Sequence, residues 1–147
     1  MLSPTRIRRL DSGVSPDRGL LDTSAVIGIE GIDRKRLPIE IAISALTLAE
    51  LTSGPHATGD GHERGLRQEL LQRVEAGIET LPFDSECARA FGRICAATAA
   101  AGRKVGGSRM VDLMIAGVAL SHRIPLYTLD ASDLKGLEGL VEVVDLR

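Results

Sequence analysis

Ile39-Glu40-Ile41-Ala42-Ile43-Ser44-Ala45-Leu46-Thr47-Leu48-Ala49-Glu50 changes its pattern part-way. Residues 39–43 form a short apolar run of the kind that makes a buried strand, and a helix is expected from Thr47. The same unit stands earlier as Gly19-Leu20-Leu21, followed by a helix from about Ser24. Two strands that each feed a helix argue for parallel neighbours joined by crossovers, because parallel pairing needs a long connection.

The pattern continues in both directions. A helix is expected over about residues 63–76 and a short extended piece over 78–81, closed by Phe83. Residues 84–101 place Ala88, Phe91, Cys95 and Thr98 at helical spacing, so this helix should lay one face on the sheet, and Gly102 stops it. After the loop Arg103-Lys104-Val105-Gly106-Gly107, residues 109–121 form a helix apolar over most of its circumference, which should be central. A strand over 124–128, a short helix over 132–137 and a closing strand over 140–144 complete the chain. The expected architecture is α/β, one domain over 19–147 with a mainly parallel central sheet flanked by helices. Ligands of such sheets bind at the carboxyl ends of the strands.

A length of 147 residues suits one domain and one active site. Apolar residues at 44% and charged residues at 26% are ordinary for a folded chain. Residues 1–18 carry Arg6, Arg8, Arg9 and Arg18 among Pro4, Gly13 and Pro16, and read as a flexible basic leader. Cys87 and Cys95 are eight residues apart in a helical pattern, about 12 Å along the axis, too far for a disulfide. No run is long enough to span a bilayer, no secretory signal is evident, and a cytoplasmic location is expected. The net charge of −2 offers no global attraction to nucleic acid, and 2% aromatic residues exclude a base-stacking platform. Any role on nucleic acid must rest on local chemistry.

That chemistry centres on acids. Asp22 follows the first strand and is either a helix N-cap or a site carboxylate. Glu50 lies near the start of a helix, where Thr47-Leu48-Ala49-Glu50 also has the form of a capping box. Asp112 shares a helical stripe with Ile115, Ala116 and Ala119, where an unpaired carboxylate costs on the order of several kcal/mol. An ion pair with Arg109 is its structural alternative. Asp130 follows the strand that ends Leu126-Tyr127-Thr128, with Asp133 close by; either acid could cap the next helix, and Thr128 could turn its hydroxyl to the same place.

Four carboxylates at one rim need a cation, since two of them about 5 Å apart repel by about 3 kcal/mol at an effective dielectric constant near 20. Oxygen ligands without His or Cys suit Mg²⁺ or Mn²⁺, and such ions favour phosphodiester hydrolysis. His56, His62 and His122 are isolated, and no P-loop, GxGxxG or GxSxG occurs.

The segments Leu20-Leu21-Asp22-Thr23-Ser24, Ile43 to Leu51, Asp112-Leu113-Met114-Ile115-Ala116 and Thr128-Leu129-Asp130 together resemble the PIN-domain ribonucleases, in particular the VapC toxins of VapBC toxin–antitoxin pairs. The resemblance covers about residues 19–147. It implies that Asp22, Glu50, Asp112 and Asp130 are the carboxylates of a Mg²⁺ or Mn²⁺ site cleaving RNA, with Thr23, Thr128 and Asp133 in support. It also implies a homodimer and a cognate VapB-like antitoxin whose C-terminal segment covers the acidic groove. Arg103, Lys104 and Arg109 are candidates for holding RNA phosphates.

Two features depart from the family pattern: the residues before the first strand, and Gly117 where alanine is common, which costs the helix up to about 1 kcal/mol. The competing reading is a non-catalytic PIN-like module whose acids grip a basic partner segment. A phosphatase or phosphoacceptor, which Asp22 after a strand also suggests, lacks a lysine at the expected strand end.

Overall fold

The computed structural model describes residues 17–147. The expected leader therefore lies outside the described residues except for its end, where Arg18 already opens the first strand and pairs with Glu79 at 2.7 Å. In chain order the elements are β1 (Arg18–Leu21), α1 (Thr23–Ile27), β2 (Glu40–Ser44), α2 (Ala45–Ser53), α3 (Gly61–Gly77) and β3 (Glu79–Leu81). They continue with α4 (Ser85–Ala100), α5 (Met110–His122), β4 (Leu126–Thr128) and β5 (Val143–Asp145). Short 3₁₀ turns fill several connections; the short helix expected over 132–137 is one of them, Ala131–Leu134.

The five strands form one parallel sheet in the order β3-β2-β1-β4-β5. From β1 the chain moves outward through β2 and β3, then returns to place β4 on the other side of β1. The strand order thus reverses between β1 and β4, and their carboxyl ends flank the crevice where such sheets bind ligands.

Alternation along each strand supplies two cores. Leu20, Ala42 and Leu126 face one side and pack with Ile94, Leu113, Ile115 and Val118. Leu21, Ile43 and Tyr127 face the other and pack with Val26, Leu51, Leu71 and Val74. Both faces are covered, which explains why the strands read as continuous apolar runs. Gly19 has no room for a side chain, since a Cβ there would stand 2.3 Å from the Tyr127 ring.

Helix α4 differs from its expected face. Its buried residues are Cys87, Ala90, Ile94 and Thr98; Phe91 and Cys95 are half-buried and Ala88 is exposed. Its chief neighbour is α5 rather than the sheet. In an alanine-rich helix two adjacent stripes carry similar apolar content, and the large residue Ile94 fixes the one that turns inward. Gly117 explains how closely the two helices approach: a Cβ there would meet the backbone of Phe91 at 3.1 Å and the carbonyl of Cys87 at 3.2 Å. The glycine's propensity cost therefore accompanies a close helix contact. Both cysteines are free thiols.

Candidate active site

Asp22 is the N-cap of α1, and its Oδ1 accepts hydrogen bonds from the Ala25 amide at 2.9 Å and the Ser24 hydroxyl at 2.7 Å. The two expectations for this residue are therefore compatible, because both bonds fall on one oxygen and leave Oδ2 for other work. Ser24 also accepts a hydrogen bond from the Leu129 amide at 3.1 Å and lies 3.4 Å from the Thr128 hydroxyl. Thr128 in turn accepts from the Asp130 amide at 2.9 Å. Ser24 and Thr128 thus tie the end of β1 to the end of β4 and fix the backbone that carries Asp22 and Asp130.

Glu50 has no capping role. The N-cap of α2 is Ser44, whose hydroxyl accepts from the Thr47 amide at 3.1 Å, so Thr47 lies inside the first turn. Glu50 therefore falls in the second turn, and its Oε1 accepts from the Thr23 hydroxyl at 2.5 Å. Thr47, fully buried, stands 3.1 Å from Thr23 and backs this contact.

Asp112 occupies the first turn of α5, half-buried. Arg109 does not neutralise it; that guanidinium bonds the Asp133 carbonyl at 3.1 Å and stands 3.5 Å from its carboxylate. Burial, then the negative charges of Asp22, Glu50, Asp133 and Asp130, push the Asp112 carboxyl up from 3.8 to about 6. The start of a helix favours a negative charge by up to about 1 kcal/mol, which is too little to offset these effects.

Asp130 makes no capping bond and pairs with Arg147 at 3.0 Å. Asp22, Ser24, Asp112, Asp130 and Asp133 line one cleft of about 30 Å³, closed behind by Leu126 and Leu134. It has room for an ion or a water, not a nucleotide. Glu50 lies at its flank and lines a neighbouring groove of about 650 Å³ with Ile27, Leu51, Leu66 and Leu70. Arg109 reaches the cleft through Asp133. Arg103, half-buried, and Lys104, exposed, line neither the cleft nor the groove.

Residues 20–137 match the PIN domain family. The chain belongs to that family. Ribonuclease VapC5 of Mycobacterium tuberculosis is 38% identical over 136 residues, spanning 90% of this chain and 97% of the relative. The solved VapBC-5 toxin–antitoxin structure from the same organism matches with a TM-score of 0.77 and 37% identity, over 90% of this chain and 99% of that one. A DNA-bound VapBC from Salmonella typhimurium, 24% identical with a TM-score of 0.69 over 88% and 98% of the two chains, shares the fold. The PIN match ends before β5, so Arg147 lies beyond it.

The donors around the cleft are carboxylate and hydroxyl oxygens, which fit a hard divalent cation in kind. Among the described residues no three acids stand together in a set ready to hold one ion. Glu50 is engaged with Thr23, and Asp130 with Arg147. Each of these contacts takes one oxygen of its carboxylate, Oε1 of Glu50 and Oδ1 of Asp130.

Two contributors carry little sequence signal. Ser24 is one hydroxyl in an Asp-Thr-Ser run, any of which can cap a helix. Arg147 meets Asp130 only because β5 pairs with β4.

Proposed function

We propose that this chain is a Mg²⁺- or Mn²⁺-dependent endoribonuclease toxin that hydrolyses RNA phosphodiester bonds at the acidic cleft and is inhibited by a cognate VapB-like antitoxin. The observation that carries the reading is Asp112: a half-buried carboxylate raised to about 6 by burial and then by four other acids, at the point where the strand order reverses. Such an arrangement destabilises the fold by itself and is what a cation site requires. The name of the 38% identical relative, a ribonuclease, supports the activity.

Asp22, Asp112, Glu50 and Asp130 would hold the ion. When bound, a divalent cation lowers the pKa of water and offsets charge building on the phosphoryl group. Ser24 and the Ala25 amide orient Asp22, and Thr23 holds Glu50 at the flank until it is needed. Asp133 supports the cleft and fixes Arg109, whose cationic face, with Arg103 and Lys104 on the preceding loop, would receive RNA phosphates. Thr128 anchors the backbone of Asp130.

The neighbouring groove suits the antitoxin. Ile27 and Leu66 are exposed in it, and Glu50 and Glu69 bring acidic groups to it beside the ion pairs Arg67–Glu63 and Arg73–Glu30, so an amphipathic segment with an apolar face and a few basic residues would fit. Glu50 lines the groove, and its charge is felt by Asp112 in the cleft. A homodimer and a cytoplasmic location accompany this reading. Among the described residues no helix is long and apolar enough to cross a membrane.

The non-catalytic alternative draws on the acids not being assembled around one point. Incubating partner-free protein with RNA separates the two. The enzyme reading expects cleavage with Mg²⁺ or Mn²⁺, none with EDTA, and none by a folded Asp22→Asn variant. Intact RNA with both metals would favour the module.

A further inference from the structure

Arg36 lies in the 3₁₀ turn Arg34–Arg36 between β1 and β2, yet its guanidinium reaches the opposite end of the chain. It donates to three successive main-chain oxygens: Asp145 at 2.7 Å, Leu146 at 2.9 Å and Arg147 at 3.2 Å. The Leu146 amide donates to the Thr128 carbonyl at 2.9 Å, and the Leu146 side chain is buried in the core. The Arg147 amide is held by the Asp145 carboxylate at 3.0 Å. The backbone of Arg147 is thereby fixed at the edge of the cleft, and its guanidinium meets Asp130 at 3.0 Å.

We propose that Arg147 is a gate on Asp130, a built-in counter-ion that holds one carboxylate oxygen, Oδ1, and so weakens the binding of a divalent cation to Asp130. This inference rests on the metal reading of the cleft. A guanidinium and a metal ion compete for the same carboxylate oxygens, and Arg147 lowers the negative charge that attracts the metal. Once displaced, the guanidinium stays beside the cleft because Arg36 holds its backbone. Arg147 is therefore a positioning residue that sets the metal concentration at which the site assembles.

The pair is exposed, Arg147 by 72% and Asp130 by 48%, so its effect is modest and sensitive to salt. The test is calorimetric titration of the full chain with Mn²⁺ at low ionic strength, without RNA. Arg147→Gln should bind Mn²⁺ about two- to five-fold more tightly than wild type, the range expected from an exposed ion pair. Arg147→Lys should fall between, and the gap should close as KCl is raised to about 0.5 M. Arg36→Gln, which frees the three main-chain oxygens, should shift affinity in the same direction. Unchanged or weaker Mn²⁺ binding by Arg147→Gln, with wild type binding normally, would overturn the gate and leave the metal site standing. No Mn²⁺ binding by wild type would overturn the metal site and the gate together.

Discussion

Asp112→Asn should make the metal-free protein more stable while removing its activity. In the folded chain the Asp112 carboxyl is raised from 3.8 to about 6, chiefly by burial and then by Asp22, Glu50, Asp133 and Asp130. A shift of about two units corresponds to about 3 kcal/mol at 1.36 kcal/mol per unit. Asp112 is only half-buried, so solvent screening reduces this to about 1–2 kcal/mol. Because the folded value lies above the unfolded one, the native state binds more protons between about pH 4 and 6, and stability falls as pH rises through that window. Asparagine has nearly the same shape and does not ionise. The variant should match wild type near pH 4 and exceed it by about 1–2 kcal/mol at pH 7.5, roughly 3–6 °C in melting temperature for a domain of this size. Thermal melts in EDTA, followed by circular dichroism across pH 4–8, read the difference directly, and effects of carboxylates away from the cleft cancel in the comparison. Mn²⁺ should stabilise wild type and leave the variant unchanged. A pH-independent gap, or a variant less stable than wild type at pH 7.5, would refute the claim that Asp112 is held at an energetic cost.

Other perturbations follow from the same contacts. Ser24→Ala removes the hydroxyl shared by Asp22 and the Leu129 amide and should cost about 1–2 kcal/mol in urea unfolding, with a loss of cleavage. Gly117→Ala should destabilise by about 1–3 kcal/mol despite better helix propensity, because its Cβ would press on the Phe91 backbone; a gain in stability would show that α4 and α5 can part freely. Leu66→Glu, at a residue 49% exposed in the groove, should abolish co-purification with the antitoxin and leave RNA cleavage intact. Loss of both functions would mean that the groove shapes the cleft.

Where periodicity and sterics act locally, the sequence was a sufficient guide. Leu20-Leu21 and Ala42-Ile43 read as buried strands because each residue faces a core. Asp112 stood out because a carboxylate on an apolar stripe needs a reason, and burial among other acids is where the structure places it. The misreadings arose where two local solutions were nearly equal. Thr47 and Ser44 can both cap α2, and the chain turns at Ser44, which gives Glu50 to Thr23 instead of a capping box. Ala88 and Ala90 are alike in side chain, and packing against α5 chose Ala90. Arg109 is within reach of Asp112 along the helix, but the turn after β4 offers Asp133. The clasp from Arg36 through Arg147 to Asp130 joins residues far apart in the chain, and only the sheet order brings them together.

The central claim is that the cleft around Asp22 and Asp112 cuts RNA. Mapping 5′ ends across total RNA after induction of wild type or Asp22→Asn, at matched protein levels, addresses it most directly. Discrete new ends with wild type and none with Asp22→Asn are expected. The same ends with both proteins, or none with wild type, would contradict the account.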